Sequence, residues 1–224
     1  MRLLAIETAT DVCSVAVADD GRVIGHSTVT LPRKHSELLS TQIRQLLTNL
    51  DIHMDDLEGI AVSVGPGSFT GMRIGVSTAK GLVFESDTAL YAVPTLAASA
   101  WCARYVVDSV AVLHHSHRNY YFLAQYDFSN GMREITAPVR NKLNELMKLL
   151  DAQQPVLLQT DPGDALIDDL GDRVIFLNPV SAVHVASLAV TFSERFYVED
   201  PYSLEPDYLR KYEAEKYKNP LRAE

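Results

Sequence analysis

The chain has 224 residues, 20 Lys and Arg against 29 Asp and Glu, 47% hydrophobic residues and two cysteines. That is enough chain for one large domain or two small ones sharing a seam, with no need of disulfide staples. The net charge of −9 disfavours a stand-alone nucleic-acid binder and leaves open a role in a complex that handles nucleic acid.

Cys13 in an apolar run and Cys102 beside Trp101 form neither a disulfide framework nor a C-x-x-C pair, which points to a reducing cytoplasm. Glu7 falls where a signal peptide would continue its apolar stretch, and no run of about eighteen apolar residues follows, so neither export nor membrane spanning is expected.

Residues 3–6, 14–18 and 23–27 read as strands, with Asp20-Gly21 as the hairpin signal between the last two. Across 36–50, Leu38, Leu39, Ile43, Leu46, Leu47 and Leu50 recur at helical spacing, and Ser36 is placed to cap that helix. A continuous apolar run at 60–64 reads as a buried strand, followed by a Gly-rich turn, a helix over 72–84 and a strand at 90–93. Three meandering strands and then α-β-α-β is the ordering of a ribonuclease-H-like unit, as in actin-like proteins.

A second, shorter pass follows: a helix near 96–105, strands at 110–113 and 120–127, a turn at 129–131, a helix over 142–150, strands at 156–158 and 174–176, and a helix over 183–196. The boundary falls near residue 97, giving an N-terminal lobe over 1–97 and a reduced C-terminal lobe over 98–224. The tail beyond Pro201 lacks a period and reads as an extended arm.

The strongest local signal is Gly65-Pro66-Gly67-Ser68-Phe69-Thr70-Gly71 between a strand and a helix, where glycines permit close backbone approach and a helix N-terminus offers N–H groups to an anion. No Gly-Lys-Ser/Thr follows, so it is not a Walker A loop, and its place after the fourth strand does not suit a dinucleotide fingerprint. With Thr8 and Thr10 after the first strand, the residues Gly65, Gly67, Ser68 and Thr70 make a candidate nucleotide or anion site. The equally weighted alternative is structural, with Gly71 and Gly75 allowing close helix packing.

A nuclease needs converging carboxylates, and a sugar kinase a second phosphate loop; neither is found. His114-His115-Ser116-His117 has no Cys, Asp or Glu beside it to complete a metal site, which favours ordinary surface or core histidines.

Five segments then carry a family resemblance: residues 4–10 around Glu7-Thr8-Ala9-Thr10; His35-Ser36-Glu37-Leu38-Leu39; the run from Val64 through Met72-Arg73-Ile74-Gly75; Val93-Pro94-Thr95-Leu96; and Glu205-Pro206-Asp207-Tyr208-Leu209-Arg210. In these the sequence resembles the TsaB (YeaZ) family of the tRNA threonylcarbamoyladenosine pathway, densely to about residue 100 and thinly beyond. The resemblance implies an α/β actin-like (ASKHA) fold of two lobes. It implies a non-catalytic cytoplasmic relative of TsaD, the subunit that threonylcarbamoylates adenosine 37 of ANN-reading tRNAs.

Implied partners are TsaD and the ATPase TsaE, with a homodimer in isolation and tRNA reached only through the complex. No cofactor of its own is implied, ATP or ADP being admitted only at a complex interface. TsaD carries a metal-binding His-x3-His after the Gly-Pro-Gly helix, whereas residues 94–100 here hold no histidine, so no metal is expected. The implied partner face uses the two N-terminal helices through His35, Leu39, Ile43, Leu46, Gly71, Met72, Arg73, Gly75, Val76 and Ala79. On that reading Gly75→Leu or Met72→Asp abolishes docking and spares the fold. Residues 115–121 depart from the Asp-Ala-Arg pattern of the family. The competing readings are an ATP-hydrolysing or nucleotide-binding actin-like protein and, more remotely, a metallopeptidase.

Overall fold

The computed structural model describes residues 1–159 and 164–209; of the C-terminal arm, residues 210–224, including Arg210 of the last matching segment, lie outside them. Two five-stranded sheets share one topology. In the first, β1 (Leu3–Glu7), β2 (Val12–Asp19) and β3 (Arg22–Thr30) form an antiparallel meander, and β4 (Gly59–Gly65) and β5 (Ala89–Pro94) extend β1 in parallel. The order is β3-β2-β1-β4-β5, with Asp20 and Gly21 forming the tight turn, both at positive φ as that turn demands.

The second sheet repeats this with β6 (Ser109–His117), β7 (Tyr120–Asp127), β8 (Arg133–Lys142), β9 (Val156–Leu158) and β10 (Val174–Ile175), in the order β8-β7-β6-β9-β10. β8 is an edge strand that the sequence reading left out. Its charged residues and Pro138 hide it: between the pairs Leu123↔Val139 and Gln125↔Thr136 the strand takes one extra residue, and Pro138 falls in that bulge, where its missing N–H costs no ladder bond.

Helices lie in three layers. α1 (His35–Asn49) and α2 (Phe69–Leu82) cover the outer face of the first sheet, burying Leu39, Ile43, Leu46, Leu47, Val76 and Ala79 against Leu4, Ile6, Val15 and Val62. α1 starts at His35, without the expected Ser36 side-chain cap, and the His35 Nε2–H donates to Val12 O at 3.2 Å. α4 (Leu143–Leu146) and α5 (Asp164–Leu170) cover the outer face of the second sheet through Leu146, Leu166 and Leu170.

Between the sheets run α3 (Thr95–Trp101) and α6 (Ala182–Thr191), followed by the short α7 (Ser193–Phe196). A helix held between two sheets must be apolar around most of its circumference and thin enough to fit. That is how α3 and α6 read: all seven α3 residues are buried, and alanines at 97, 98, 100, 182, 186 and 189 keep both slim. Trp101 Nε1–H donates to Ser187 Oγ at 2.9 Å and ties the pair together. The helix expected over 183–196 is thus two helices meeting at Phe192.

α6 packs across the first sheet. Residues 198–209 then run back along α2, held by Val198 N–H to Leu90 O at 2.9 Å, by Lys80 Nζ to Tyr202 O at 2.6 Å, and by Asp207 N–H to Val64 O at 2.7 Å. From Ala182 to Leu209 the chain therefore belongs by contact to the first lobe. Among the described residues no helix is long and apolar enough to cross a membrane.

Candidate functional site

The Gly-rich loop leaves β4 through Gly65 at φ 114° and a cis Gly65–Pro66 bond, and enters α2 at Phe69 with Ser68 as N-cap, its Oγ accepting from Gly71 N–H at 3.3 Å. The loop is pressed onto the segment after β1. Ser68 N–H donates to Ala9 O at 2.7 Å, Thr8 Oγ–H donates to Gly71 O at 2.9 Å, and Gly65 N–H donates to Thr95 Oγ1 at 3.0 Å. A Cβ at Gly67 would run into Ala9 O, one at Gly71 into Thr8 O, and one at Gly75 into Thr8 Oγ1. Gly67 and Gly71 are there because two backbones touch, and Gly75 because the Thr8 side chain lies against it.

The β1–β2 turn is closed from within. Glu7 Oε1 accepts from Ala9 N–H at 2.7 Å and from Thr10 N–H at 3.2 Å, and Thr10 Oγ1 accepts from Val12 N–H at 3.2 Å. These amides, which the first lobe of an actin-like fold could offer to a phosphate, are taken by the protein's own carboxylate. Glu7 is wholly buried, and desolvation pushes it up to about 7 against the restraining influence of the nearby Ser63 hydroxyl and the two amides. Neither Glu7 Oε2 nor Ser63 Oγ completes a hydrogen bond of ordinary geometry.

The candidate anion set is thereby divided. Thr8, Thr10 and Gly65 are buried and engaged internally, Gly67 is half-buried against Ala9, and Ser68 and Thr70 face solvent.

The candidate partner set requires correction. His35, Leu39, Ile43, Leu46, Gly71, Met72, Gly75, Val76 and Ala79 are all buried in the protein's own interior, on the faces of α1 and α2 that cover the first sheet; only Arg73 of the ten faces solvent. The stripe of small residues at 71, 75 and 79 serves packing onto β1 and β4, the structural alternative. The outward stripe lies about a third of a turn around each helix: Ser36, Glu37, Ser40, Arg44 and Thr48 on α1, and Thr70, Arg73, Ile74, Ser77 and Gly81 on α2.

On α2 that stripe forms an open groove of about 380 Å³ lined by Phe69, Thr70, Arg73, Ile74 and Ser77. Phe69, 42% exposed at the helix start, stacks on Tyr208 at 4.8 Å between ring centroids, and the Arg73 guanidinium lies 5.4 Å from the centre of the same ring. Phe69 and Tyr208 stand in motif segments without being singled out there as site residues; an aromatic at the first helical position, one turn before Arg73, is the signal that could have marked Phe69. Where the resemblance puts the histidine pair of TsaD, α3 offers Leu96, Ala97, Ala98 and Ser99, buried and without imidazole or carboxylate, so these residues do not fit a metal ion.

Comparison with known proteins places this geometry. The family model described as TsaD, tRNA N6-adenosine threonylcarbamoyltransferase, matches residues 29–200. The chain is similar to the tRNA threonylcarbamoyladenosine biosynthesis protein TsaB of Bacillus subtilis, 29% identical over 221 residues and 96% of each chain. It is also similar to the Escherichia coli protein of that name, 40% identical over 104 residues and 45% of each. A solved Pseudomonas aeruginosa protein with similarity to peptidase YeaZ superposes with a TM-score of 0.81 at 25% identity, covering 93% of this chain and 99% of that one.

Proposed function

The chain belongs to the TsaD family, in its TsaB (YeaZ) branch, and from that membership we propose that it serves tRNA threonylcarbamoyladenosine formation as a non-catalytic subunit that docks on TsaD. The observation that supports this reading is the outward face of α2, where an exposed aromatic and an arginine border a groove also lined by Ile74 and Ser77, while Glu7 fills the amides of the β1–β2 turn behind it. Exposed aromatic and arginine anchors beside an open groove suit the docking of a partner helix. Once docked, the subunit would support TsaD in its active conformation and present a surface to TsaE.

The ATP-hydrolysing alternative needs free amides at the β1–β2 turn, and Glu7 holds them. A site for ATP or ADP at the junction with a partner is compatible with the exposed Ser68 and Thr70.

The test is reconstitution of threonylcarbamoyl transfer with TsaD and TsaE, with and without this chain, together with Ser77→Trp, which fills the groove from an exposed position. Ser77→Trp is expected to weaken TsaD binding about 100-fold or more, an effect of about 3 kcal/mol, with an unchanged melting temperature and loss of transfer. Full transfer without the chain, or undiminished TsaD binding by Ser77→Trp, overturns the assignment.

A further inference from the structure

The acidic overall balance conceals one basic end. β6 and β7 are joined by two residues, Arg118 and Asn119, and Arg118 sits at φ 55°, a left-handed backbone that tight turns normally give to Gly, Asn or Asp. His115 shares a 2.7 Å hydrogen bond between its Nε2 and Arg118 O across this turn. A strained arginine at an exposed tip is a poor choice for folding and an intelligible one for function.

The register assembles more charge around it. Tyr120 pairs with His117 on one side and Lys142 on the other, and the Arg140 guanidinium, whose Nε–H donates to Ser116 Oγ at 3.0 Å, lies 4.2 Å from the centre of the Tyr120 ring. Directly opposed residues share a face, and the next residue of β7 on that face, Phe122, is in the core between the lobes. Arg140 and Lys142 therefore lie on the side of the second sheet turned toward the first lobe, at its rim, with Arg118 in the turn beside them. His117, Arg118, Asn119, Asn141 and Lys142 are exposed, and none of the ion pairs among the described residues involves Arg118 or Lys142. The acid on the adjoining helix, Glu145, is paired with Lys148 at 3.0 Å.

We propose that the β6–β7 turn and the adjoining end of β8 form an RNA-contacting surface, with Arg118 and Lys142 on backbone phosphates and the Tyr120–Arg140 stack available to an unpaired base. Cations spaced around an aromatic–guanidinium plane match a polymer that alternates phosphates with flat bases. RNA as the occupant rests on the reading above that the chain serves tRNA modification. The equivalent turn of the first lobe, between β1 and β2, has its amides filled by Glu7 and carries no such cations, so the repeat of the fold has been put to a different use in the second lobe.

The experiment is fluorescence anisotropy of a labelled, unmodified ANN-reading tRNA transcript with the full chain, over about 50 to 200 mM salt. The Arg118→Asn, Lys142→Gln double variant is expected to bind at least about 10-fold more weakly, with a log–log salt slope shallower by about 1.5, as removal of two phosphate contacts requires. Arg118→Asn alone is expected to raise the melting temperature while lowering affinity, a combination that a purely structural role for Arg118 does not produce. Absence of RNA binding by the unaltered chain, unchanged affinity and slope in the double variant, or displacement of the RNA by charge-matched polyglutamate or by ATP overturns the proposal. Ser77→Trp separates the two readings: it should keep RNA binding while losing TsaD, and if it keeps both, the docking assignment falls and the RNA surface stands.

Discussion

Glu7→Gln is expected to stabilise the protein by about 3 kcal/mol at pH 8 and to leave it unchanged near pH 4. The ordinary value of this carboxyl, 4.5, rises to about 7 in the folded chain, mainly because burial disfavours the charged form; at about 1.4 kcal/mol per pH unit that difference sets the size of the effect. Because the folded value is raised, the folded state binds the proton more tightly than the unfolded one. The contribution is full below 4.5, falls as pH rises from 4.5 to 7, and is gone above that. Glutamine keeps the carbonyl that accepts from Ala9 and Thr10 and offers an N–H₂ toward Ser63 Oγ. His114 and His184, both pushed down to about 4 chiefly by burial, destabilise on the acid side, below about 6.5, and cancel in the difference between variant and parent. Urea unfolding of both proteins from pH 4 to 8 reads the result; parallel curves would show that Glu7 is ionised at no cost.

Gly71→Ala is expected to cost about 3 kcal/mol, the upper end for an added methyl that backbone cannot evade, and about 10 °C in melting temperature. The new Cβ would meet Thr8 O, itself fixed in the turn that Glu7 and Ser68 hold. The same reasoning reverses the expectation for Gly75→Leu and Met72→Asp: both alter the buried side of α2, so they lose binding by losing the fold. Gly81→Ala is the control, on the same helix with open space around its Cβ, and should stabilise slightly through helix propensity. Equal melting temperatures for Gly71→Ala and Gly81→Ala would remove the packing account of the loop.

The order of the elements was legible because each has a period of its own. β3 alternates exposed and half-buried residues along its whole length, α1 shows one apolar stripe, and β4 is buried throughout. β8 was lost because an edge strand with a bulge needs neither apolar alternation nor freedom from proline, and α5 because it is short and, over residues 166–170, buries Leu166 and Leu170 alone. At the candidate site the motif was legible and its orientation was not. Spacing says that positions 71, 75 and 79 share a side of α2, but which of the two sides meets the sheet depends on Thr8, sixty-three residues away from Gly71. The Glu7 carboxylate closing its own turn left no trace in composition or spacing.

The core that joins the sheets also limits how the molecule can move. Leu3 and Ala5 from the first sheet, Val110, Val112 and Phe122 from the second, and α3 and α6 between them form one continuous buried cluster. Opening the two lobes as a hinge would bring into water the apolar faces that meet across this cluster, a cost comparable with the stability of a domain. The amide protons of α3 and α6 are therefore expected to exchange with deuterium only at the rate of global unfolding, at the same free energy as those of β1 and β6. Two-lobed machines that work by clamping and releasing need a seam that gives; here the seam is continuous buried core, so the two lobes are expected to move as one rigid body.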